Sequence, residues 1–190
     1  MFGRMLSRFF ERPMLKYLPE QFIVADIETT GLDPEKHELI EIAAIRVNRD
    51  YQDHLSFTAL VRPSKKIPKR ITEITGITND MIASDGDSIE DVFPQFIEFI
   101  GDRRLVFYNA PFDMGFIDRV AGRMGHKIKN PVSDALDMAR RAWPNLPSYK
   151  LVNLAKMGNL DSRGAHRALK DCQMTMTVYG AASSILRSAA

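Results

Sequence analysis

Three short apolar segments near the start of the chain place the tightest limits on its fold. Residues 22–27, 39–47 and 55–61 are rich in β-branched and other apolar side chains, and only short connections separate them. Segments of this composition favour β-strands. The sequence Gly31-Leu-Asp-Pro34 between the first two is typical of a turn. We therefore expect three consecutive strands that pair as antiparallel hairpins.

The rest of the chain alternates between helical patterns and one further strand. Ser88 is placed to cap one helix, and Pro111 suits the first turn of another. We expect a fourth strand at 104–108, and helices at 79–82, 88–100, 111–124, 134–143, 149–157 and 168–186. This order predicts an α/β fold in which a central mixed sheet, three antiparallel strands followed by parallel ones, is flanked by helices. With 190 residues, 45% of them hydrophobic, the chain fits one ordinary domain.

The first twenty residues are predicted to be a separate basic extension. Residues 1–20 carry the whole formal net charge of +2, so residues 21–190, the predicted main domain, sum to zero. Charged residues interrupt the apolar positions of the extension, which excludes a continuous signal-peptide core. The segment is expected to be either a docked amphipathic helix or a flexible arm.

A second basic run lies at 62–70. Its two interpretations are a solvated loop and a rim that contacts nucleic-acid phosphates. A steep dependence of activity on salt concentration would favour the rim. Cys172 is the one cysteine, so disulfide frameworks and cysteine-rich zinc sites are excluded. With no stretch of membrane-spanning length, these features predict a cytoplasmic protein without a membrane partner.

Two carboxylates at the end of the first strand are the first candidates for chemistry. Asp26 and Glu28 are two residues apart, so in a strand they point to the same face. Their mutual repulsion would be costly on an apolar base, and a divalent cation with oxygen ligands would relieve it. Taken alone, the pair could equally be an exposed strand end.

Acidic residues and one histidine recur in two later segments. Asp113 follows the fourth strand in the first turn of a helix, where a carboxylate also benefits from the helix dipole. His166 and Asp171 are five residues apart, so they would not share one face of a continuous helix. The useful arrangement places His166 in the preceding loop and Asp171 on the helix. Four carboxylates from three segments could bridge two cations, and the imidazole could accept a proton from an attacking water.

These segments resemble the three motifs of the DEDDh, or DnaQ-like, family of 3′→5′ exonucleases, which have the ribonuclease H-like fold. The matching stretches are Asp26-Ile-Glu28-Thr-Thr-Gly31, Asn109-Ala-Pro-Phe-Asp113 and His166-Arg-Ala-Leu-Lys-Asp171. The resemblance covers roughly residues 21–185. It implies that Asp26, Glu28, Asp113 and Asp171 hold two Mg²⁺ or Mn²⁺ ions and that His166 is the general base.

The resemblance also implies a site for the terminal nucleotide. Its members would be Thr29, Thr30, Gly31, Leu32, Ile74, Asn109, Phe112 and His166, with Leu32 against a base. Two positions depart from the family pattern. Tyr108 and Thr75 stand where many members have histidine, which affects the expected contacts to phosphate and base rather than the metal ligands.

The implied reaction is hydrolysis of phosphodiester bonds from the 3′ end of a strand, releasing nucleoside monophosphates. Glu28-Thr-Thr-Gly31 is closer to the proofreading subunits of bacterial replicative polymerases than to oligoribonucleases, so single-stranded DNA is the expected substrate. RNA trimming or clearance of short oligoribonucleotides is the alternative. The chain stops soon after the last motif, which favours a stand-alone enzyme, with a polymerase or another replication or repair protein as a possible partner.

Overall fold

A six-stranded mixed sheet forms the centre of the molecule. The computed structural model describes residues 18–51, 53–158, 160 and 162–188. The strands of this part are β1 (Gln21–Thr29), β2 (Leu39–Asn48), β3 (Leu55–Val61), β4 (Gly86–Asp87), β5 (Leu105–Phe107) and β6 (Val132–Asp134). Its helices are α1 (Lys69–Thr75), α2 (Asn79–Asp85), α3 (Ile89–Ile100), α4 (Ala110–Arg123), α5 (Ala135–Ala142), α6 (Leu151–Met157) and α7 (Ala168–Ser188).

The strands are arranged in the order β4-β3-β2-β1-β5-β6. β1 pairs with β2, and β2 with β3, in antiparallel ladders, whereas β1–β5, β5–β6 and β3–β4 are parallel. The predicted α/β class and the predicted mixed sheet are therefore confirmed. Because β1 and β5 are parallel, their carboxyl ends lie at the same edge of the sheet, where a crevice for ligands commonly forms.

The central strand β1 is covered on both faces. On one face, Ile23, Ala25 and Ile27 pack with the buried side chains of α3 and α4. On the other face, Phe22 and Val24 pack with residues of α5 and α7. Side chains alternate along a strand, so Asp26 and Glu28 project from the same face as Phe22 and Val24, towards α7.

Several local predictions are confirmed and one helix was missed. Ser88 caps α3, because its hydroxyl oxygen accepts the N–H of Asp91 at 3.1 Å. Pro111 lies in the first turn of α4 as expected. Helix α1, however, begins inside the basic run that was interpreted as a loop or rim. It follows Pro68 and has no side-chain cap, so the usual start signal is lacking.

The basic run 62–70 is only partly available to a ligand. Arg62 donates a hydrogen bond to the carbonyl of Gly86, and Lys69 lies 3.8 Å from Glu73. Lys65 and Lys66 are exposed, so a contact of this run with phosphates stays a prediction. Most of the predicted N-terminal extension lies outside the described residues. In the part of the chain that the structure describes, no helix is both long and apolar enough to cross a membrane.

Candidate active site

Three of the four predicted metal ligands meet above the face of β1 that is covered by α7. Asp26, Glu28 and Asp171 each offer a carboxylate oxygen, and these atoms all lie within 4.8 Å of one another. Asp26 and Glu28 come from β1, and Asp171 from the first turn of α7. Clustered carboxylate oxygens are the donor set that Mg²⁺ and Mn²⁺ prefer. The side chains therefore fit the divalent cations that the sequence predicts.

Burial and mutual repulsion make the ionised form of these carboxylates unfavourable when no cation is bound. Burial raises the pKa of Glu28 from 4.5 to about 8, and the charges of Asp171, Glu41 and Asp113 add to the rise. The pKa of Asp26 is also well above its usual value, first because of burial and then because of the neighbouring carboxylates. Raised carboxylate pKa values mark sites where charge is concentrated for a function.

Asp113, the fourth predicted ligand, comes from a different element and is not part of the group of three. Only 2% of its surface is exposed, and it lies in the first turn of α4, after β5. Burial is the main reason that its pKa is well above the usual value, and hydrogen bonds from the backbone at Asp113 and Ile27 act in the opposite direction. Its charge is the largest electrostatic contribution to the raised pKa of Asp26. Asp113 therefore interacts electrostatically with the cluster, and its role as the fourth ligand stays a prediction.

His166 lies in the loop before α7, as the spacing to Asp171 requires. Its side chain is exposed and its backbone is left-handed, with φ of 66°. The backbone N–H of His166 donates to Oδ1 of Asp171 at 3.2 Å. The structure thus brings His166 beside one of the clustered carboxylates. The catalytic role that the sequence assigns to it remains a prediction.

Glu41 is a fifth acidic residue that the sequence interpretation missed. It lies on β2 directly opposite Glu28 in the antiparallel ladder, and only 1% of its surface is exposed. Arg167, the residue after His166, pairs with it at 2.7 Å. The available signal was the one acidic residue inside the apolar segment 39–47, which we interpreted simply as a strand.

The loop that follows β1 is held by short-range hydrogen bonds. The Thr29 hydroxyl donates to the carbonyl of Gly31 at 2.6 Å, and the Thr30 hydroxyl accepts the N–H of Glu38 at 3.0 Å. A Cβ atom on Gly31 would lie 2.4 Å from the ring of His37, so a larger residue could not occupy this position without displacing the ring. This loop presents Leu32 to solvent, with 82% of its surface exposed.

The other predicted nucleotide contacts lie on α1 and at the start of α4. Ile74 is 45% exposed, a large fraction for an apolar side chain. Asn109 is exposed and left-handed, with φ of 72°, and its N–H donates to Asp134 at 3.0 Å. Phe112 packs against Phe116, with ring centroids 5.3 Å apart. These positions remain candidates for a nucleotide site.

Both positions that depart from the family pattern have structural partners. The Tyr108 hydroxyl donates to the carbonyl of Tyr149, and burial raises the pKa of Tyr108. Tyr149 in turn donates to the carbonyl of Trp143 at 2.7 Å, which ties together the segment between α5 and α6. Thr75 is buried, donates to the carbonyl of Ile71 and accepts the N–H of Ile77. Neither side chain needs a ligand to satisfy its hydroxyl group.

The carboxylate cluster predicts an unusual dependence of stability on pH in the metal-free protein. Between 4.5, the usual pKa of Glu28, and about 8, its pKa in the fold, the folded state binds more protons than the unfolded state. Stability should therefore fall as the pH rises through this window. Thermal melting in chelator from pH 5 to 8.5 would show the loss, and Glu28→Gln should flatten it. Each kcal/mol corresponds to about 2–4 °C in a domain of this size. Identical slopes in the two proteins would contradict the assignment.

Comparison with known proteins places the chain in a family. The family model described as Exonuclease (RNase_T) matches residues 23–179. DNA polymerase III subunit epsilon of Aquifex aeolicus (strain VF5) is 39% identical over 159 residues, which cover 83% of this chain and 78% of that protein. DNA polymerase III PolC-type of Clostridium perfringens (strain 13 / Type A) is 38% identical over 159 residues, or 84% of this chain but only 11% of that protein.

Solved structures agree with this relationship. Exonuclease X in complex with 5′ overhanging duplex DNA is 28% identical, with a TM-score of 0.66, over 88% of this chain and 92% of that chain. E. coli Exonuclease I in complex with a dA16 oligonucleotide has a TM-score of 0.71 at 21% identity, over 82% of this chain and 39% of that one. The second likeness shows the fold, so the predicted ribonuclease H-like architecture is confirmed. With a family match over most of its length and a relative at 39% identity, the chain belongs to the DnaQ-like exonuclease family and is a nuclease.

Proposed function

We propose that this protein removes nucleotides one at a time from the 3′ end of DNA, with single strands as the preferred form, and releases nucleoside monophosphates. Asp26, Glu28, Asp113 and Asp171 would hold two divalent cations, Mg²⁺ or Mn²⁺, and His166 would act as general base. The observation that carries the proposal is the meeting of Asp26, Glu28 and Asp171 within 4.8 Å, with the backbone of His166 bound to Asp171.

The chemistry follows from what each side chain can do. When bound, the cations would stabilise negative charge on the attacking and leaving oxygens of the phosphodiester. Asp26, Glu28 and Asp171 provide the oxygen donors, and their close spacing sets a strong local negative charge that favours cations. The His166 imidazole accepts the proton that the attacking water gives up, which is the usual role of histidine near neutral pH. The water oxygen bonds to phosphorus and the bond to the upstream 3′ oxygen breaks. That oxygen takes a proton from solvent and leaves as the new 3′ hydroxyl.

Two exposed apolar side chains suit contact with a terminal base. Leu32 and Ile74 leave 82% and 45% of their surfaces in solvent, where an apolar side chain gains by covering a base. The loop carrying Leu32 is fixed by the Thr29 and Thr30 hydroxyls, so it would hold its position when a strand binds. Asn109 and Phe112, at the start of α4, complete the proposed nucleotide site.

The relatives support DNA as the substrate. The relatives include a DNA polymerase III subunit epsilon and an exonuclease whose structure contains duplex DNA. Similarity to DNA polymerase III proteins also supports a replication or repair polymerase as a partner. The chain matches only 11% of the length of the PolC-type relative. Association of this chain with a polymerase therefore needs its own test. Co-elution with a polymerase core on gel filtration would test it.

A labelled-substrate time course tests the proposed reaction. Single- and double-stranded DNA and RNA of one sequence, labelled at either end, are incubated with the protein and Mg²⁺. A 3′ label should appear first as a mononucleotide, while a 5′ label should shift through progressively shorter products. Single-stranded DNA should be cut fastest. An Asp26→Ala preparation purified in parallel reports contaminating nuclease. Early release of a 5′-terminal label would exclude the polarity, and faster RNA cleavage would favour the RNA-trimming alternative.

A further inference from the structure

Glu41 is a buried acidic residue whose charge adds to the electrostatic repulsion within the acidic cluster. It lies directly opposite Glu28 across the β1–β2 ladder, on the face covered by α7, and 1% of its surface is exposed. Its charge adds to the rise in the pKa of Glu28, Asp26 and Asp171. A buried charge of this kind is stabilised only by close partners that replace water. Its partners therefore indicate what it does.

Both oxygens of Glu41 are used by consecutive residues at the start of α7. Nη2 of Arg167 donates to Oε1 at 2.7 Å, and Nε of the same guanidinium lies 3.2 and 3.3 Å from the two oxygens. The backbone N–H of Ala168, the first residue of α7, donates to Oε2 at 2.9 Å. A carboxylate in this position also interacts favourably with the helix dipole. Glu41 thus fixes the first residues of α7 to the centre of the sheet.

His166 directly precedes this anchored pair and has a backbone conformation that needs support. Its φ of 66° is left-handed, a region in which a residue other than glycine is strained unless its surroundings hold it there. Its own N–H is held by Asp171 at 3.2 Å. The peptide at His166 is therefore fixed on both sides, by Asp171 through its N–H and by Glu41 through Arg167 and Ala168.

We infer that Glu41 is a positioning residue that directs His166 at the carboxylate cluster by holding Arg167 and Ala168. The inference rests on the proposed role of His166 as general base. Glu41 contacts neither substrate nor the reacting water in this arrangement. Its effect reaches the imidazole of His166 through Arg167 and Ala168, the two residues that follow His166. Loss of such a supporting contact typically lowers activity about 10–100-fold.

A double-mutant cycle separates this role from a general structural one. Glu41→Gln keeps the shape of the side chain and removes its charge. Single-turnover cleavage of a 3′-labelled single-stranded oligodeoxynucleotide is measured in saturating Mn²⁺. In the chain with His166, Glu41→Gln should lower the rate about 10–100-fold. In the His166→Ala background it should change the rate less than about twofold, because the group it positions is gone.

Control measurements decide between the possible outcomes. Asp50→Asn breaks another two-point pair, Arg49 with Asp50 at 3.1 and 3.2 Å, on the exposed turn after β2, and should leave the rate unchanged. Arg167→Lys keeps the positive charge but loses the two-point contact, so it should show the same coupling to His166 if Glu41→Gln fails to fold. Calorimetry with Mn²⁺ should give nearly equal affinity for the parent and Glu41→Gln.

The failures of the two proposals are distinguishable. Equal rate losses from Glu41→Gln in both backgrounds would overturn the inference, since Glu41 would then act independently of His166. A collapse of Mn²⁺ affinity would also overturn it, because Glu41 would belong to the metal site. If His166→Ala alone cleaves DNA at the parent rate, the general-base assignment itself is wrong, and the positioning role is lost with it.

Discussion

Asp26→Ala is expected to abolish cleavage of DNA while leaving the fold intact. The Asp26 carboxylate lies within 4.8 Å of both Glu28 and Asp171, so its loss removes one of the three clustered oxygen donors. Cation-dependent stabilisation of the phosphodiester should disappear with it. The measurement is single-turnover cleavage of a 3′-labelled single strand across a range of Mg²⁺ and Mn²⁺ concentrations.

Although Asp26→Ala should abolish activity, it should not lower the stability of the metal-free protein. Burial and neighbouring carboxylates raise the pKa of Asp26, so its ionised form is unfavourable in the metal-free fold. Asp26→Ala should therefore melt in chelator at the temperature of the parent or above it. Asp118→Ala, which removes an exposed carboxylate from α4, should retain activity and serves as the control. A large fall in melting temperature for Asp26→Ala would make the residue structural, and full parent activity in excess chelator would end the two-metal proposal.

His166→Ala is expected to lower turnover by about 10²–10⁴-fold, the usual loss when a general base is removed. Affinity for Mn²⁺ should change far less, because the three clustered carboxylates remain in place. Calorimetric titration with Mn²⁺ beside single-turnover cleavage distinguishes the two effects. If metal affinity falls together with the rate, His166 is a ligand rather than a base.

A second substitution at His166 separates the imidazole from the backbone. The residue is left-handed, with φ of 66°, a conformation that asparagine adopts more readily than alanine. His166→Asn should therefore keep the loop geometry and still lose the base. Equal rate losses for His166→Asn and His166→Ala would assign the effect to the missing imidazole. A near-normal rate for His166→Asn would show that the loop conformation, not proton transfer, was lost in the alanine variant.

The parts of the fold that were predictable are those with a local signal. The three apolar segments became β1, β2 and β3, and the Ser88 cap and Pro111 marked the starts of α3 and α4. β4 and β6 are two and three residues long, and they exist as strands because they pair with β3 and β5. A pairing of this kind leaves no periodic pattern in so short a segment, so the sequence did not reveal it.

The acidic cluster was predictable only in outline. Spacing along β1 put Asp26 and Glu28 on one face, and Asp113 and Asp171 were recognised as carboxylates near helix starts. The family resemblance implied that the four act together as metal ligands. Glu41 was missed because a single charge in a strand also fits an exposed position, whereas the structure buries it against Arg167. Its importance depends on a contact between β2 and the start of α7, which are far apart in the chain.

The order of the elements along the chain has a consequence for synthesis. Asp26 lies on the first strand and Asp171 on the last helix, so the carboxylate cluster joins the two ends of the described chain. Domains are completed in the direction of translation. A nascent chain that has emerged only as far as α6 still lacks Asp171 of the proposed ligand set. It also lacks His166 and Arg167, the residue through which Glu41 is proposed to position His166. The enzyme cannot acquire its cleavage site until the first turn of α7 has been translated.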